Sequence, residues 1–184
     1  MASKPLLVNG IPGTGKSTLA KKLAADLKLP LIHKDDIKEF FYDALATNSR
    51  EESQLIGRVA FESLYVLIEQ YVESEKDLMV ECPFFVSFAR PKLKAIISEK
   101  GVEVLEVYCV LPEPIRQQRI RQRLTEGRHP QHVAGDTSFD KNEMELAEQY
   151  APLQLGKFIE VSTERFGETE YQGLLDVIRQ NLDQ

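Results

Sequence analysis

Cysteine, positive charge and long apolar runs are all scarce in this sequence. Only Cys82 and Cys109 occur among 184 residues, each inside an apolar strand-like stretch, which argues against a disulfide framework and for two buried free thiols in a reducing compartment. No stretch approaches the roughly 20 apolar residues of a membrane span. The opening MASKPLLVNG has too short an apolar segment for a secretory leader, so a cytoplasmic location without a membrane partner is expected. Lys and Arg number 23 against 29 Asp and Glu, a formal charge of -6, which repels a long nucleic-acid backbone unless basic residues gather in one place. Repeats and low-complexity linkers are also missing, and the expected organisation is one domain over residues 1–184.

What the chain does contain is enough apolar material, 42% of its residues, for a sizeable core. The apolar spacing alternates between two periods from end to end. Leu6 to Val8 read as a strand, and Ser17 to Leu27 carry Leu19, Ala20, Leu23, Ala24 and Leu27 at helical spacing. A second strand is expected at Leu31 to His33, followed by a helix with an acidic first turn for which Asp36 is the expected cap. Glu51 to Ser74 predict a long amphipathic helix, Leu78 to Cys82 a strand, Ser87 to Lys100 a helix stopped by Gly101, and Val102 to Leu111 the longest strand. Pro112 and Pro114 open a basic helix. The polar, turn-rich segment Gly127 to Thr137 follows it, and helix resumes from about Asp140 to Tyr150. Phe158 to Ser162 and Thr169 to Leu182 supply a last strand and helix. Strands alternating with helices define an α/β class, a parallel sheet with helices on both faces. The Arg-rich span 116–137 reads as a lid on that domain.

Gly10-Ile11-Pro12-Gly13-Thr14-Gly15-Lys16-Ser17 matches G-x-x-x-x-G-K-[ST] without departure. Backbone N–H groups can wrap a polyphosphate only where side chains stay clear and some residues take positive φ, a conformation open to Gly13 and Gly15. Lys16 is expected to reach the β- and γ-phosphates, and the Ser17 hydroxyl to coordinate magnesium. Gly10, Thr14 and Thr18 complete the expected nucleotide-contacting set. An accidental match is expected in on the order of one chain in a hundred of this length, and here the motif also follows a strand and opens a helix. ATP with Mg2+ is therefore the expected ligand.

His33-Lys34-Asp35-Asp36-Ile37-Lys38 falls at the carboxyl edge of the second strand, where ligands collect in open parallel sheets. An Asp there can take a proton from an acceptor hydroxyl and help orient magnesium through water. Asp35 is the first choice, with Asp36 the alternative, and either residue could instead serve only to cap the helix. Glu81, at the end of the third strand, occupies a similar edge and is a candidate for the acceptor or, through water, for magnesium. Arg116, Arg119 and Arg123 recur at helical spacings of three and four, so their guanidinium groups can share one side. Arg119 and Arg123 are the expected stabilisers of charge on the transferring group, Arg119 also touching the nucleotide. Arg128, on another side of the same segment, is assigned to the acceptor. His129 and His132 lack further nearby ligands for a metal site, and a gating or loop-structural role is expected.

The succession GIPGTGKS, HKDDIK, ECPF and RQQRIRQRLTEGRHPQH resembles the P-loop kinases of the zeta-toxin, chloramphenicol phosphotransferase and polynucleotide kinase-like group, AAA-type ATP-binding proteins. The resemblance covers most of the chain. It implies a three-layer α/β/α P-loop NTPase fold with a five-stranded parallel sheet in the order 2-3-1-4-5. It also implies that Asp35 contacts the acceptor hydroxyl and that Lys38 stands where an arginine often binds an acceptor phosphate. Lysine lacks the planar fork of that arginine. No NKxD sequence is present, a feature shared with ATP users. The function this implies is transfer of the γ-phosphate of ATP to a hydroxyl of a small molecule. A 5′-hydroxyl polynucleotide kinase is the alternative acceptor class, and a nucleotide-dependent switch or toxin-like binding protein is the alternative from outside metabolism.

Overall fold

The protein is described by a computed structural model covering residues 4–46, 49–125, 129, 142–165 and 167–182. Its centre is strand β1 (Pro5–Asn9), every residue of which is buried. Strands β2 (Leu31–His33), β3 (Leu78–Glu81), β4 (Leu105–Val110) and β5 (Lys157–Ser162) complete one sheet in the order β2-β3-β1-β4-β5, all pairs parallel. This is the 2-3-1-4-5 order implied by the motifs. A parallel strand buried on both faces reads as a continuous apolar run, which is why PLLVN lacks the alternation of a half-exposed strand.

Successive side chains still point to opposite faces. Leu6 and Val8 face a cluster built with Leu19 and Leu23 of helix α1 (Lys16–Leu27) and Tyr171, Leu174, Leu175 and Ile178 of helix α7 (Glu168–Leu182). Leu7 and Val80 face the other layer, formed by Leu64 and Ile68 of helix α3 (Arg50–Glu73) and Ala89, Leu93 and Ile97 of helix α4 (Val86–Lys100). Helices α2 (Lys34–Ala44) and α5 (Glu113–Thr125) follow β2 and β4 in the chain, α2 packing on α3, and α6 (Glu143–Gln149) packs on α4. Among the described residues no helix is long and apolar enough to cross a membrane.

Three expected boundaries move, each for a local reason. Asp36 does not cap α2. The helix begins at Lys34 with His33 in the cap position, and the Asp36 carboxylate instead accepts from the His33 ring at 2.8 Å. Strand β4 starts at Leu105, not Val102, because the Val102 N–H still closes the end of α4 on the Ile97 carbonyl at 3.2 Å after the left-handed Gly101. Helix α6 starts at Glu143, set by a capping box between Asn142 and Glu145.

Because Leu7 is fully buried between β1 and the α3–α4 layer, Leu7→Ala removes apolar contact and leaves a cavity. A loss of roughly 3 kcal/mol in unfolding free energy is expected from urea titration, with an unchanged far-ultraviolet spectrum of the folded state.

Candidate functional site

The sheet's carboxyl edge is organised around the bend from β1 into α1. Gly10, Gly13 and Gly15 have φ of 140, 92 and 85°. Two of them are also required by close approach: a Cβ on Gly10 would sit 2.4 Å from the Cys109 carbonyl oxygen, and one on Gly13 2.7 Å from Ile120 Cγ1 of α5. Gly15 is the N-cap of α1 and no side chain caps that helix. Its first-turn amides are therefore left facing outward at the positive end of the helix dipole, an anion-binding arrangement.

Inside the bend, the Ile11 carbonyl is a common acceptor. It receives the Thr14 N–H at 3.3 Å, the Thr14 hydroxyl at 2.9 Å and the Lys16 ammonium at 2.9 Å. The Thr14 hydroxyl, expected to face a nucleotide, is thus turned inward. Lys16 is buried, and burial draws its pKa below the ordinary lysine value while Glu81 and Asp35 oppose that shift.

Asn9 holds the bend from below. Its amide oxygen accepts from Gly10 N–H at 2.7 Å and Phe84 N–H at 3.1 Å, and its NH2 donates to Glu106 at 2.9 Å. Glu106, buried in β4, is in turn satisfied by the backbone N–H groups of Leu153 and Gln154 at 2.9 and 3.1 Å. Thr163, just beyond β5 and buried, donates its hydroxyl to the Thr14 carbonyl at 2.6 Å. Sequence reasoning missed Asn9, Glu106 and Thr163. The only hint was a polar residue ending an apolar strand immediately before Gly10; Thr163 has no local signal, since it meets the bend from 149 residues away.

One cleft of about 470 Å3, counted with the space open to solvent, is lined by Pro12, Gly13, Gly15, Lys16, Ser17, Asp35, Glu81, Pro83, Ile120 and Arg123. Five of the residues singled out for chemistry (Lys16, Ser17, Asp35, Glu81 and Arg123) therefore share one wall system despite lying on four elements. Asp36 is not in that lining. Asp35 pairs with the Lys34 ammonium at 2.5 Å, and although burial works against the Lys34 charge, Asp35 holds its pKa above the usual lysine value. Thr18, one residue into α1 beyond Ser17, is exposed.

The three arginines of the expected lid face separate. Arg116 is buried, donates to the Pro12 carbonyl at 3.4 Å and pairs with Glu143. It braces the bend from outside. Arg119 donates to the Thr163 carbonyl at 2.9 Å and places a second guanidinium nitrogen near Gly15. Arg123 alone of the three lines the cleft. Lys38, one helical turn beyond Asp35, is buried with its Cε towards Gly57 of α3 and is not in the cleft lining. Of the span 116–137 the structure describes 116–125 and 129, so Arg128 and His132 lie outside the described residues. His129 meets Asp43 of α2 at 3.0 Å and the edge of Tyr42. Among the described residues no group of three His, Cys, Asp or Glu side chains could hold a metal ion. Cys82 and Cys109 are buried free thiols, as expected, and burial pushes Cys109 up to about 12 and Cys82 well above the ordinary thiol value, which disfavours the reactive thiolate.

The arrangement defines a P-loop nucleotide-binding fold. The chain belongs to the AAA-domain family, whose model matches residues 6–141. Among solved structures, it is similar to a candidate kinase from Chloroflexus aurantiacus, with 28% identity, 99% of this chain and 100% of that chain covered, and a TM-score of 0.85. The fold is shared with the Mycobacterium tuberculosis APS kinase in complex with AMPPNP and APS, at 14% identity, 97% and 98% coverage and a TM-score of 0.60. It is also shared with the shikimate kinase from Acinetobacter baumannii in complex with shikimate, at 16% identity, 97% and 94% coverage and a TM-score of 0.57. No curated protein matches the chain.

His33 carries a charge that the neighbouring carboxylates stabilise. Burial works against its charge, but Glu81, Asp36 and Asp35 outweigh it and push the pKa up to about 9 from an ordinary 6.5. A raised folded-state pKa means that the stabilisation is fully present below about pH 6.5 and is lost as pH rises through about 9. Melting curves from pH 6.5 to 10 are expected to show a loss of up to about 3 kcal/mol from this group. In His33→Asn that part of the slope disappears.

Proposed function

We propose that this protein is an ATP-dependent kinase that transfers the γ-phosphate to a hydroxyl of a small-molecule acceptor, in the manner of the zeta-toxin, chloramphenicol phosphotransferase and polynucleotide kinase-like group. The observation that carries the reading is the convergence of Lys16, Ser17, Asp35, Glu81 and Arg123 on one cleft at the uncapped end of α1. The residues present suit a polyphosphate. Gly13 and Gly15 leave the loop amides uncovered, and the buried Lys16 ammonium rests on a loop carbonyl from which an anion can draw it. They also suit magnesium, which takes few protein ligands and keeps several waters. Ser17 would hold it directly, with Asp35 or Glu81 through water, and its charge would offset that of the phosphates.

In this mechanism Lys16 neutralises charge on the β- and γ-phosphates, and Arg123 does the same on the transferring group. Asp35 accepts the proton of the acceptor hydroxyl as its oxygen bonds to the γ-phosphorus and the bond from that phosphorus to the bridging oxygen of ADP breaks. Lys34, paired with Asp35, favours its carboxylate form and so keeps it ready to accept. Asp36 is turned to His33 and away from the cleft, which supports Asp35 over Asp36 as the base. Arg119, anchored on Thr163 beside Gly15, contacts the nucleotide, while Gly10, Thr14 and Thr18 shape the loop and helix that carry the amides. The acceptor side favours a small molecule over a polynucleotide, because Lys38 is packed towards α3 and the whole chain is acidic.

Lys16→Ala is expected to abolish measurable MgATP binding by calorimetry. Asp35→Asn should bind MgATP within about threefold of the native protein and lose at least a hundredfold in transfer to any acceptor found by screening metabolites with labelled ATP. Full transfer by Asp35→Asn would falsify the assignment of the base.

A further inference from the structure

His33 lies between two carboxylates carried by different elements. Across the β2–β3 pair, where it is in register with Glu81, its Nε2 sits 2.6 Å from Glu81 Oε2. On the other side its Nδ1 donates to Asp36 Oδ1 at 2.8 Å. The first contact is an ion pair whose angle falls short of hydrogen-bond alignment, while the second has hydrogen-bond geometry. The ring and Glu81 are buried at 8% and 3% exposure, whereas Asp36 is 64% exposed. A ring tethered at both nitrogens cannot swing about its Cα–Cβ bond without breaking one of them. The carboxylate it holds at Oε2 belongs to a residue that lines the cleft with Lys16 and Ser17.

The same two contacts sort the acidic pair. Asp36 is drawn outward to His33, Asp35 is left to Lys34 and the cleft, and one positive charge offsets Glu81 where a polyphosphate must approach. We infer that His33 is a positioning residue: it locks the Glu81 carboxylate in the orientation that serves the magnesium side of the cleft, and by holding Asp36 it reserves the acceptor side for Asp35. The turnover part of this inference rests on the kinase reading above. Its structural part does not.

Two amide substitutions separate positioning from folding. Asn is a favourable N-cap residue, so His33→Asn supports the start of α2, but its side chain is too short to reach Glu81. Gln reaches further and restores a donor towards Glu81 without the capping preference. Positioning therefore predicts an order opposite to that of helix stability. For His33→Asn, a loss of about tenfold or more is expected in kcat for ATP turnover and in Mn2+ affinity of the ADP complex, read by electron paramagnetic resonance. Its KM for ATP and its metal-free ADP affinity should stay within about threefold of native. His33→Gln should recover most of both losses. Equal behaviour of the two variants, or a loss that appears equally in metal-free ADP binding, overturns the inference. In the nucleotide-free protein, Glu81→Gln is expected to shift the His33 ring 15N resonances, and unshifted resonances overturn the clamp itself. Should the native chain fail to bind any nucleotide, the kinase reading falls and the ring resonances still decide whether His33 clamps Glu81.

Discussion

Between Asn9 and Lys16 the chain has to leave the middle of a buried sheet, reverse, and enter a helix while keeping its backbone amides uncovered. A bend that ignores its own amides is unstable unless its remaining polar groups are satisfied elsewhere. Here they are satisfied from within by the Asn9 side chain and by the Lys16 ammonium and Thr14 hydroxyl on Ile11, and from two distant places by Thr163 on the Thr14 carbonyl and Arg116 on the Pro12 carbonyl. The outward amides are thus left over by design of the surroundings, and the anion-binding end of α1 is a consequence of how the carbonyls are held.

The second consequence concerns charge. Parallel strands that end at one edge bring their last side chains together, so Glu81 from β3, the residues after β2 and the loop after β1 converge although they are distant in the chain. Two buried or half-buried carboxylates in such a place would repel a polyphosphate and each other. Lys34 beside Asp35 and His33 beside Glu81 offset them, and Lys16 and Arg123 line the same cleft. The cleft thus brings cations and paired carboxylates together, a charge balance that suits the chemistry proposed for it.

Behind this edge, the buffering of the site from below depends on a buried polar pair. Asn9 and Glu106 lie in the interior, Glu106 in register with Leu7; the Asn9 NH2 donates to Glu106, the Asn9 oxygen accepts from the Gly10 and Phe84 amides, and Glu106 accepts from the Leu153 and Gln154 amides. A satisfied buried network is rigid, and its rigidity is transmitted to the first amide of the bend. That links the far end of the chain to the loop near its beginning.

Much of this was legible in the residues alone. The continuous apolar run of β1, the helical spacing of Leu19 and Leu23, and the glycines at 10, 13 and 15 obey local rules, because strand, helix and positive φ are decided by near neighbours and by the absence of a Cβ. Asp35 and Glu81 could be placed at a strand edge for the same reason. Local rules did not reach the partners. Whether Asp36 caps a helix or binds His33, whether Arg116 points to solvent or into the bend, and whether Lys38 faces an acceptor or α3 depend on which elements the sheet order sets side by side. The bend between β1 and α1 is written in eight consecutive residues because backbone conformation is local; the charge balance of the cleft was decided by packing, because a side chain's neighbour across a sheet or helix interface carries no mark in its own stretch of sequence.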